Sequence, residues 1–347
     1  MKTRADASSV ELRDIEPQEL PGSGHVRVRV AASGICGTDL HIIDGSYNSF
    51  PPVVLGHEVA GTVIEVSGDV DPDWLGARVA METFYSTCGS CRYCRSGRPN
   101  MCGDRLSIGS GVDGGFAESL VVPLRNLHRL PSSVDTASGA LCEPLACVCQ
   151  SLFDPFTSVR PGDRVLVSGP GAVGLLAAQV ARAAGAEVVV VGTDRDRARL
   201  ELAESLGLAT RLAPLDASDL PAGWHAGPDV VIECSGSGAA MRSGLELIRK
   251  RGHFIQMGQT GDLVSVPFAL VSFKELVITG GFASTPASWA KAMDLLERRH
   301  VQLSPLVSKT FSLEEWAEAF AATQRGDGVK LLLAPPRETQ MNGEGVE

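Results

Sequence analysis

The chain has 347 residues, of which 44% are hydrophobic and 21% charged, as in folded globular proteins and unlike disordered ones. Its 31 basic and 41 acidic residues give a formal net charge of −10, so we expect no nucleic-acid partner. No apolar run approaches the roughly 18 residues of a membrane helix, and the start, MKTRADASSVELRD, lacks the apolar stretch of a secretory signal. We therefore expect two domains, no membrane partner and a cytoplasmic location.

The first 150 residues predict a β-rich, barrel-like unit. Val26, Val28 and Val30 alternate with other residues, which is the pattern of a strand with one buried face. Glycine and proline separate the strands predicted in this half, which are residues 25–34, 53–68, 78–82 and 115–123.

Potential metal ligands of mixed type are spread over the same half. Taken singly, a histidine, cysteine or glutamate here is more often a structural or surface residue than a ligand. Together they provide the one soft and several harder ligands that catalytic zinc sites use. The candidates are Cys36, Thr38 and His41 in GICGTDLH, His57 and Glu58 in LGHEVAG, and Glu143 in ALCEPLA.

Four of the nine cysteines lie within 15 residues and form a second, compact set. Cys88, Cys91, Cys94 and Cys102 have the spacing C-x2-C-x2-C-x7-C, which suits a tetrahedral structural zinc ion. An iron–sulfur cluster is the alternative, because C-x2-C-x2-C also opens the bacterial ferredoxin motif. That motif continues with x3-C-P, whereas here the gap is seven residues and Gly103 follows, so the spacing favours zinc.

From about residue 160 the pattern changes to alternating strands and helices. The runs Val165–Val167 and Val188–Val191 are continuously apolar, as parallel strands buried on both faces are. Alternation of this kind predicts a doubly wound sheet. The further predicted strands are residues 229–236, 253–258 and 276–281, and the predicted helices are residues 175–183, 197–206 and 239–250.

A glycine motif follows the first of these strands and opens a helix. Gly169, Gly171 and Gly174 form G-x-G-x-x-G, which is weak evidence alone but has the strand–turn–helix context of a dinucleotide site. Asp194 lies 20 residues further on, where a carboxylate accepts hydrogen bonds from the adenosine ribose and repels a 2′-phosphate. The motif therefore favours NAD over NADP, although Arg195 directly follows and an arginine can accommodate a 2′-phosphate.

The motifs GICGTDLH, GHEVAGTVIEVSG, the four-cysteine loop and SGPGAVG together resemble the zinc-containing medium-chain alcohol dehydrogenases, in the same order, from about residue 10 to 334. Within that family the chain is most similar to the polyol (sorbitol-type) and L-threonine 3-dehydrogenase branch, because of CGTDLH and of Glu143 in CEPLA. The resemblance implies an α/β fold with two domains. These are a β-rich, GroES-like, zinc-binding catalytic domain at 1–150 and 286–347 and a doubly wound Rossmann nucleotide-binding domain at 151–285.

The resemblance also implies roles for single residues. Thr38 and His41 match a two-residue proton relay, and Glu143 matches a carboxylate that reaches zinc directly or through water and passes protons. Cys142, Cys147 and Cys149 match no ligand position and are interpreted as structural. The implied catalytic-zinc ligands are Cys36, His57, Glu58 and Glu143, and the implied cofactor contacts beyond the glycines and Asp194 are Val173, Arg199, Met257, Gly258 and Gln259.

The implied activity is hydride transfer from a secondary alcohol to NAD, with two zinc ions per chain, one catalytic and one structural. A small-molecule polyol or cyclitol is the favoured substrate, and Tyr47, Asn48 and Phe50 are candidates for selecting it. An L-threonine 3-dehydrogenase-like enzyme, acting on a β-hydroxy amino acid, shares every motif and is the alternative. A non-catalytic binding protein that keeps the fold is a more remote one. The family habit predicts a homo-oligomer, a dimer or homotetramer.

Overall fold

The structure is a computed structural model that describes residues 1–6, 9–153, 158–261 and 263–336; the polar tail after residue 336 lies outside these ranges. The strands are β1 (His25–Gly34), β2 (Glu58–Val66), β3 (Arg78–Met81), β4 (Phe84–Ser86), β5 (Leu106–Ser107), β6 (Ser119–Pro123), β7 (Leu127–Arg129), β8 (Arg164–Ser168), β9 (Glu187–Gly192), β10 (Ala209–Leu212), β11 (Val230–Glu233), β12 (His253–Gln256), β13 (Val277–Gly280), β14 (Val307–Ser312) and β15 (Lys330–Ala334). The α-helices are α1 (Gly37–Asp44), α2 (Arg92–Arg95), α3 (Cys142–Phe153), α4 (Ala172–Ala183), α5 (Arg197–Ser205), α6 (Gly238–Leu247), α7 (Leu270–Phe273), α8 (Pro286–Glu297) and α9 (Trp316–Arg325).

The first sheet has seven strands and is mostly antiparallel. Its order is β14-β15-β1-β2-β3-β7, and β6 pairs with the first half of β1. Strand β1 alternates as predicted, with the side chains of Val26, Val28 and Val30 buried between its neighbours. The sheet thus joins the chain before residue 130 to the last two strands, so residues from both ends line one surface.

The second sheet is wholly parallel, with the order β10-β9-β8-β11-β12-β13. Strands β8 and β9 are almost fully buried, which explains their continuous valine runs. The strand order reverses between β8 and β11, and the carboxyl ends of these strands border the crevice in which doubly wound sheets bind ligands.

Helix α3 connects the two sheets. It is buried along nearly its whole length and packs against α4 and α8 as well as against β2 and β3. One hydrophobic cluster consequently extends from Ala32 and Ala60 of the first sheet to Val165 and Ile255 of the second. The crevice beside α3 therefore has walls from both sheets.

The predicted α/β architecture is confirmed, and the differences lie at the ends of predicted elements and in elements that were not predicted, such as α3 and β10. Strand β2 begins at Glu58, so the predicted strand 53–68 is too long at its start, where residues 53–57 form a loop. Strand β9 ends at Gly192, and Asp194 lies beyond it in a short 3₁₀ turn. Within the described residues, none of the helices is long and apolar enough to span a membrane.

Candidate active site

The turn before α1 positions the first candidate ligand. Strand β1 ends at Gly34, and Cys36 follows directly before the helix. The buried carboxylate of Asp39 accepts a hydrogen bond from the Cys36 backbone N–H at 2.9 Å and one from that of Gly56 at 3.3 Å. The same carboxylate lies 3.5 Å from Nδ1 of His57, which leaves the other ring nitrogen available to a metal. The Asp39 carboxylate therefore positions both candidate ligands, Cys36 and His57.

Cys36, His57 and Glu58 each present a ligand atom, and these three atoms all lie within 4.8 Å of one another. A thiolate, an imidazole and a carboxylate are the donor set of catalytic zinc sites that keep a position open. Burial opposes protonation of His57, but the charges of Asp39 and Cys36 outweigh it and raise the pKa of His57 above its usual range. A metal ion binds the neutral form of the imidazole, so metal binding here competes with protonation. The residues fit a catalytic zinc ion.

Glu58 has a second partner that the sequence did not reveal. Lys330, the first residue of β15, places its Nζ 2.7 Å from both carboxylate oxygens of Glu58 and 3.1 Å from the Ile35 carbonyl oxygen. Both side chains of the pair are almost fully buried. Burial alone would lower the pKa of Lys330, but the negative charges of Glu58 and Cys36 raise it, so the lysine stays charged. A cation thus neutralises this candidate ligand.

Glu143 lies in the same cavity but is not part of this three-atom group. It is near the start of α3, and its carboxylate accepts a hydrogen bond from the Cys147 thiol at 3.4 Å. Burial raises the pKa of Glu143 to about 7, with the negative charge of Glu58 adding to the effect. A carboxyl group with this pKa can take up and release a proton near neutral pH.

Thr38 and His41 lie one turn apart on α1 and line the same cavity. The Thr38 hydroxyl is 3.7 Å from the Cys36 sulfur, next to the candidate ligands. The His41 side chain is 43% exposed, and its Nδ1 lies 3.2 Å from the Ser46 hydroxyl. One end of this pair is thus beside the candidate metal site and the other is in contact with solvent.

A single cavity of about 340 Å³ joins these residues to the edge of the parallel sheet. The candidate ligands and the relay form one side of it. The other side includes four residues predicted to contact the cofactor, namely Val173, Met257, Gly258 and Gln259. Residues from both sheets therefore face the same space, as a hydride transfer between two bound molecules requires.

The glycine motif has the predicted strand–turn–helix geometry. Gly169 has a φ of +93°, which favours glycine, and any side chain at Gly174 would clash with the Gly169 carbonyl oxygen. Gly171 caps the N-terminus of α4 and faces open space, so the helix end is accessible. The exposed backbone N–H groups of such an end bind phosphate.

The two charged residues predicted near the adenosine differ in their surroundings. The side chain of Asp194 is 79% exposed and forms an ion pair with Arg197 at 2.6 Å. Arg199 instead donates hydrogen bonds to the carbonyl oxygens of Gly326 and Gly328 and to Asp196. The structure therefore presents Asp194 to solvent, whereas Arg199 holds the loop before β15.

The four sulfurs of Cys88, Cys91, Cys94 and Cys102 converge, with all four within 4.8 Å of one another. Cys88 Sγ lies 3.6 Å from Cys102 Sγ and 4.0 Å from Cys94 Sγ, so these are free thiols and not disulfides. The separation expected in a tetrahedral zinc site with Zn–S bonds of about 2.3 Å is about 3.8 Å. Backbone N–H groups of Cys91 and Ser90 lower the pKa of the Cys88 thiol to about 6. The loop thus fits a structural zinc ion.

Three residues of the site lay outside the sequence-based prediction of its chemistry. Asp39 stands inside the motif GICGTDLH, but no role followed from its position. Lys330 is the first residue of the apolar strand KLLLA, and lysine is rarely buried unless it is paired. Its position in this strand is the only sequence feature that indicates a buried partner. Cys147 was expected to be structural like Cys142 and Cys149, and it differs from them because its thiol lines the cavity beside Glu143.

Comparison with known proteins places the chain in a family. The model of the alcohol dehydrogenase GroES-like domain matches residues 22–132, and that of the zinc-binding dehydrogenases matches residues 172–298. The chain is 37% identical to the sorbitol dehydrogenase of Halalkalibacterium halodurans, over 92% of this chain and 94% of that protein. It is 33% identical to the D-arabitol-phosphate dehydrogenase of Enterococcus avium, over 89% of each chain. It is also 33% identical to the L-threonine 3-dehydrogenase of Escherichia coli K12, over 93% of this chain and 95% of that protein.

Solved structures agree with this result. A zinc-binding dehydrogenase of Sinorhizobium meliloti bound to NADP is 32% identical, covers 96% of this chain and 98% of its own, and superposes with a TM-score of 0.85. An alcohol dehydrogenase of Escherichia coli CFT073 in complex with NADH is 26% identical, covers 95% and 97%, and has a TM-score of 0.83. The chain therefore belongs to the zinc-dependent medium-chain dehydrogenase family, and the protein is an oxidoreductase of that family.

Proposed function

We propose that the protein oxidises a secondary alcohol, a polyol or cyclitol, with NAD as hydride acceptor. The observation that carries the proposal is that the ligand atoms of Cys36, His57 and Glu58 converge in a cavity whose far wall is the Gly258 loop of the parallel sheet. When bound, zinc would supply Lewis acidity toward the carbinol oxygen and NAD would supply the hydride acceptor. Cys36, His57 and Glu58 would hold the zinc, with Glu143 in reach directly or through water.

In this proposal, side chains of the protein carry the proton of the alcohol to solvent. The Thr38 hydroxyl accepts the proton of the alcohol, and His41 receives it and releases it to solvent, because its ring is partly exposed. Glu143 offers a second proton-holding site, since burial places its pKa at about 7. Lys330 orients the Glu58 side chain through contacts with both of its carboxylate oxygens.

Asp194 supports NAD rather than NADP in this proposal. Its exposed carboxylate stands just beyond β9, where it can accept hydrogen bonds from ribose hydroxyls and repel a 2′-phosphate. The Sinorhizobium meliloti relative is bound to NADP, so the ratio of the two cofactors is an informative measurement.

Two zinc ions per chain are part of the proposal. The mixed ligand set of Cys36, His57 and Glu58 would hold the catalytic one, and the four-cysteine loop would hold the structural one. Elemental analysis of protein purified without chelator is expected to give two zinc ions per chain. A content of one zinc ion per chain that is lost when Cys94 is mutated, but kept when Cys36 is mutated, would contradict the catalytic zinc site.

The substrate class is tested by measuring NAD reduction against polyols of four to six carbons, inositols, L-threonine, and simple primary and secondary alcohols. The proposal rests on the sorbitol and D-arabitol-phosphate dehydrogenases among the relatives and on the hydroxyl-bearing wall of the cavity, which includes Tyr47, Ser107 and Ser110. Turnover confined to vicinal polyols or cyclitols is expected. Turnover of L-threonine alone would instead identify a β-hydroxy amino acid dehydrogenase, the activity named for another of the relatives.

We further propose a homo-oligomer, a dimer or tetramer, in a reducing cytoplasmic compartment. Strand β13 is the last strand of the parallel sheet, and no other strand of the described residues pairs with its outer edge. Val277 and Ile278 on it are 53% and 40% exposed, which favours pairing with another chain. All nine cysteines are free, and the four of the zinc loop must stay reduced to bind metal. Sedimentation equilibrium is expected to give two or four chains, and a monomer would refute the assembly.

A further inference from the structure

A second cavity lies beside the catalytic one and shares part of its wall. It measures about 450 Å³, and the two cavities have Tyr47, Arg105, Ser107 and Ser110 in common. The nicotinamide must occupy part of the catalytic cavity, which leaves room there only for the reacting end of a long substrate. The rest of such a substrate would extend into the neighbouring cavity. The second cavity is therefore placed to contact the distal part of a substrate.

Arg105 stands at the junction of the two cavities, held in place by two aromatic rings from distant segments of the chain. Its guanidinium lies 5.2 Å from the ring centroid of Phe84 on β4 and 4.9 Å from that of Phe282, which follows β13. One nitrogen donates a hydrogen bond to the Asn100 carbonyl oxygen at 2.8 Å, and the Asn100 amide in turn donates to the Phe282 carbonyl oxygen. The guanidinium is thus oriented before any ligand arrives, which lowers the entropy lost on binding.

In the part of the chain that the structure describes, no acidic side chain pairs with the positive charge of Arg105. An arginine has five N–H donors, and among the described residues only one of those of Arg105 is used and no carboxylate forms an ion pair with it. The described lining of the second cavity contains no Asp or Glu. Its polar groups are the side chains of Ser46, Tyr47, Asn48, Ser107 and Ser110. A preoriented guanidinium among hydroxyl and amide groups is a site for an oxyanion.

We propose that Arg105 and the surrounding hydroxyls bind an anionic group, a phosphate ester or a carboxylate, at the end of the alcohol substrate distant from the reacting carbon. This inference rests on the proposed dehydrogenase function and narrows its substrate class from neutral polyols to anionic ones. Both anions offer coplanar or clustered oxygens that a planar guanidinium binds with two parallel hydrogen bonds. The proposal assigns no chemical step to Arg105, which positions the substrate and selects it by charge.

The test compares matched substrates in the zinc-loaded enzyme with NAD. Polyols of four to six carbons, their terminal phosphate esters and the corresponding aldonates are assayed with wild type, Arg105→Gln and Arg105→Lys. We expect wild type to prefer one anionic series, and Arg105→Gln to lower kcat/KM for that series by about 10–100-fold, mainly through KM, because a charge-assisted pair is lost. Neutral polyols should change less than about 3-fold, and Arg105→Lys should recover part of the loss. The preferred series tells phosphate from carboxylate.

Arg129→Gln is the matched control. Arg129 also stacks on an aromatic ring, 4.2 Å from the centroid of Trp74, and also donates to one carbonyl oxygen, but it lines neither cavity. Its loss should leave the ratio of anionic to neutral turnover unchanged. Equal losses for neutral and anionic substrates in Arg105→Gln, or a wild-type preference for the neutral series, would overturn the subsite.

Failure of the subsite and failure of the proposed function give different results. If wild type oxidises none of these alcohols, the polyol dehydrogenase function is refuted, and binding of the phosphate esters and aldonates is then measured by calorimetry. Binding to wild type and to Arg129→Gln but not to Arg105→Gln would still support an anion site. Equal binding to all three proteins, or binding to none of them, would overturn the subsite as well.

Discussion

Replacing Lys330 with methionine leaves the Glu58 carboxylate buried without its counter-charge. Glu58 is 1% and Lys330 6% exposed, and both carboxylate oxygens lie 2.7 Å from the lysine Nζ, so solvent cannot replace the lost partner. Breaking a buried pair on one side destabilises a protein by about 3–5 kcal/mol. For a cooperative unit of 150–250 residues that corresponds to a fall in Tm of about 6–20 °C.

The size of the fall in Tm depends on whether zinc is bound. In the zinc-free protein Lys330 is the only cation that forms an ion pair with Glu58 among the described residues, so Lys330→Met should lower Tm by the full amount. With zinc held by Cys36, His57 and Glu58, the dication supplies the missing positive charge, and the fall should be half or less. Thermal unfolding followed by circular dichroism, with and without zinc, measures both values.

Two variants control for other causes. Lys309→Met removes an exposed lysine from the neighbouring strand β14, where its Nζ lies 3.9 Å from the ring centroid of Phe311, and should change stability by no more than about 1 kcal/mol. The double variant Glu58→Gln with Lys330→Met removes both charges and should recover much of the zinc-free Tm. A zinc-free Tm within about 2 °C of wild type in Lys330→Met, or the same fall with and without zinc, would refute the reasoning.

Three further outcomes are expected. Cys36→Ser should lower turnover by more than about 100-fold while the Kd for NAD stays within about 3-fold, measured by NADH formation and by calorimetry; wild-type-like turnover would contradict the zinc assignment. Asp194→Ala should lower kcat/KM for NAD by about 10-fold or more and that for NADP much less, and an unchanged cofactor ratio would contradict the role of this carboxylate. Burial alone would raise the pKa of Asp229, but hydrogen bonds from Arg164 and Arg249 lower it to about 2, so its stabilisation is present above pH 4 and lost as pH falls through about 2. The unfolding free energies of wild type and Asp229→Asn should accordingly differ by about 1–2 kcal/mol at pH 6 and by less at pH 3, whereas a difference independent of pH would contradict this.

Features that depend on residues close in sequence could be predicted from the sequence. The valine runs of β8 and β9, the glycines between β8 and α4, and the spacing of the four cysteines each specify a local geometry. A buried parallel strand, a tight turn and a metal loop need only these residues and the backbone between them. For candidate ligands that are far apart, such as Cys36 and His57, the residue types gave the candidates and the resemblance to a family assigned their roles.

Contacts between distant segments were decided by the packing of the two sheets. Lys330 reaches Glu58 across 272 residues only because β15 pairs with the end of β1. Arg105 is held between Phe84 and Phe282 only where the small β4–β5 sheet meets the segment after β13. A lone lysine or arginine carries no periodic pattern, so its partner, its burial and the fate of its charge follow from the tertiary structure alone.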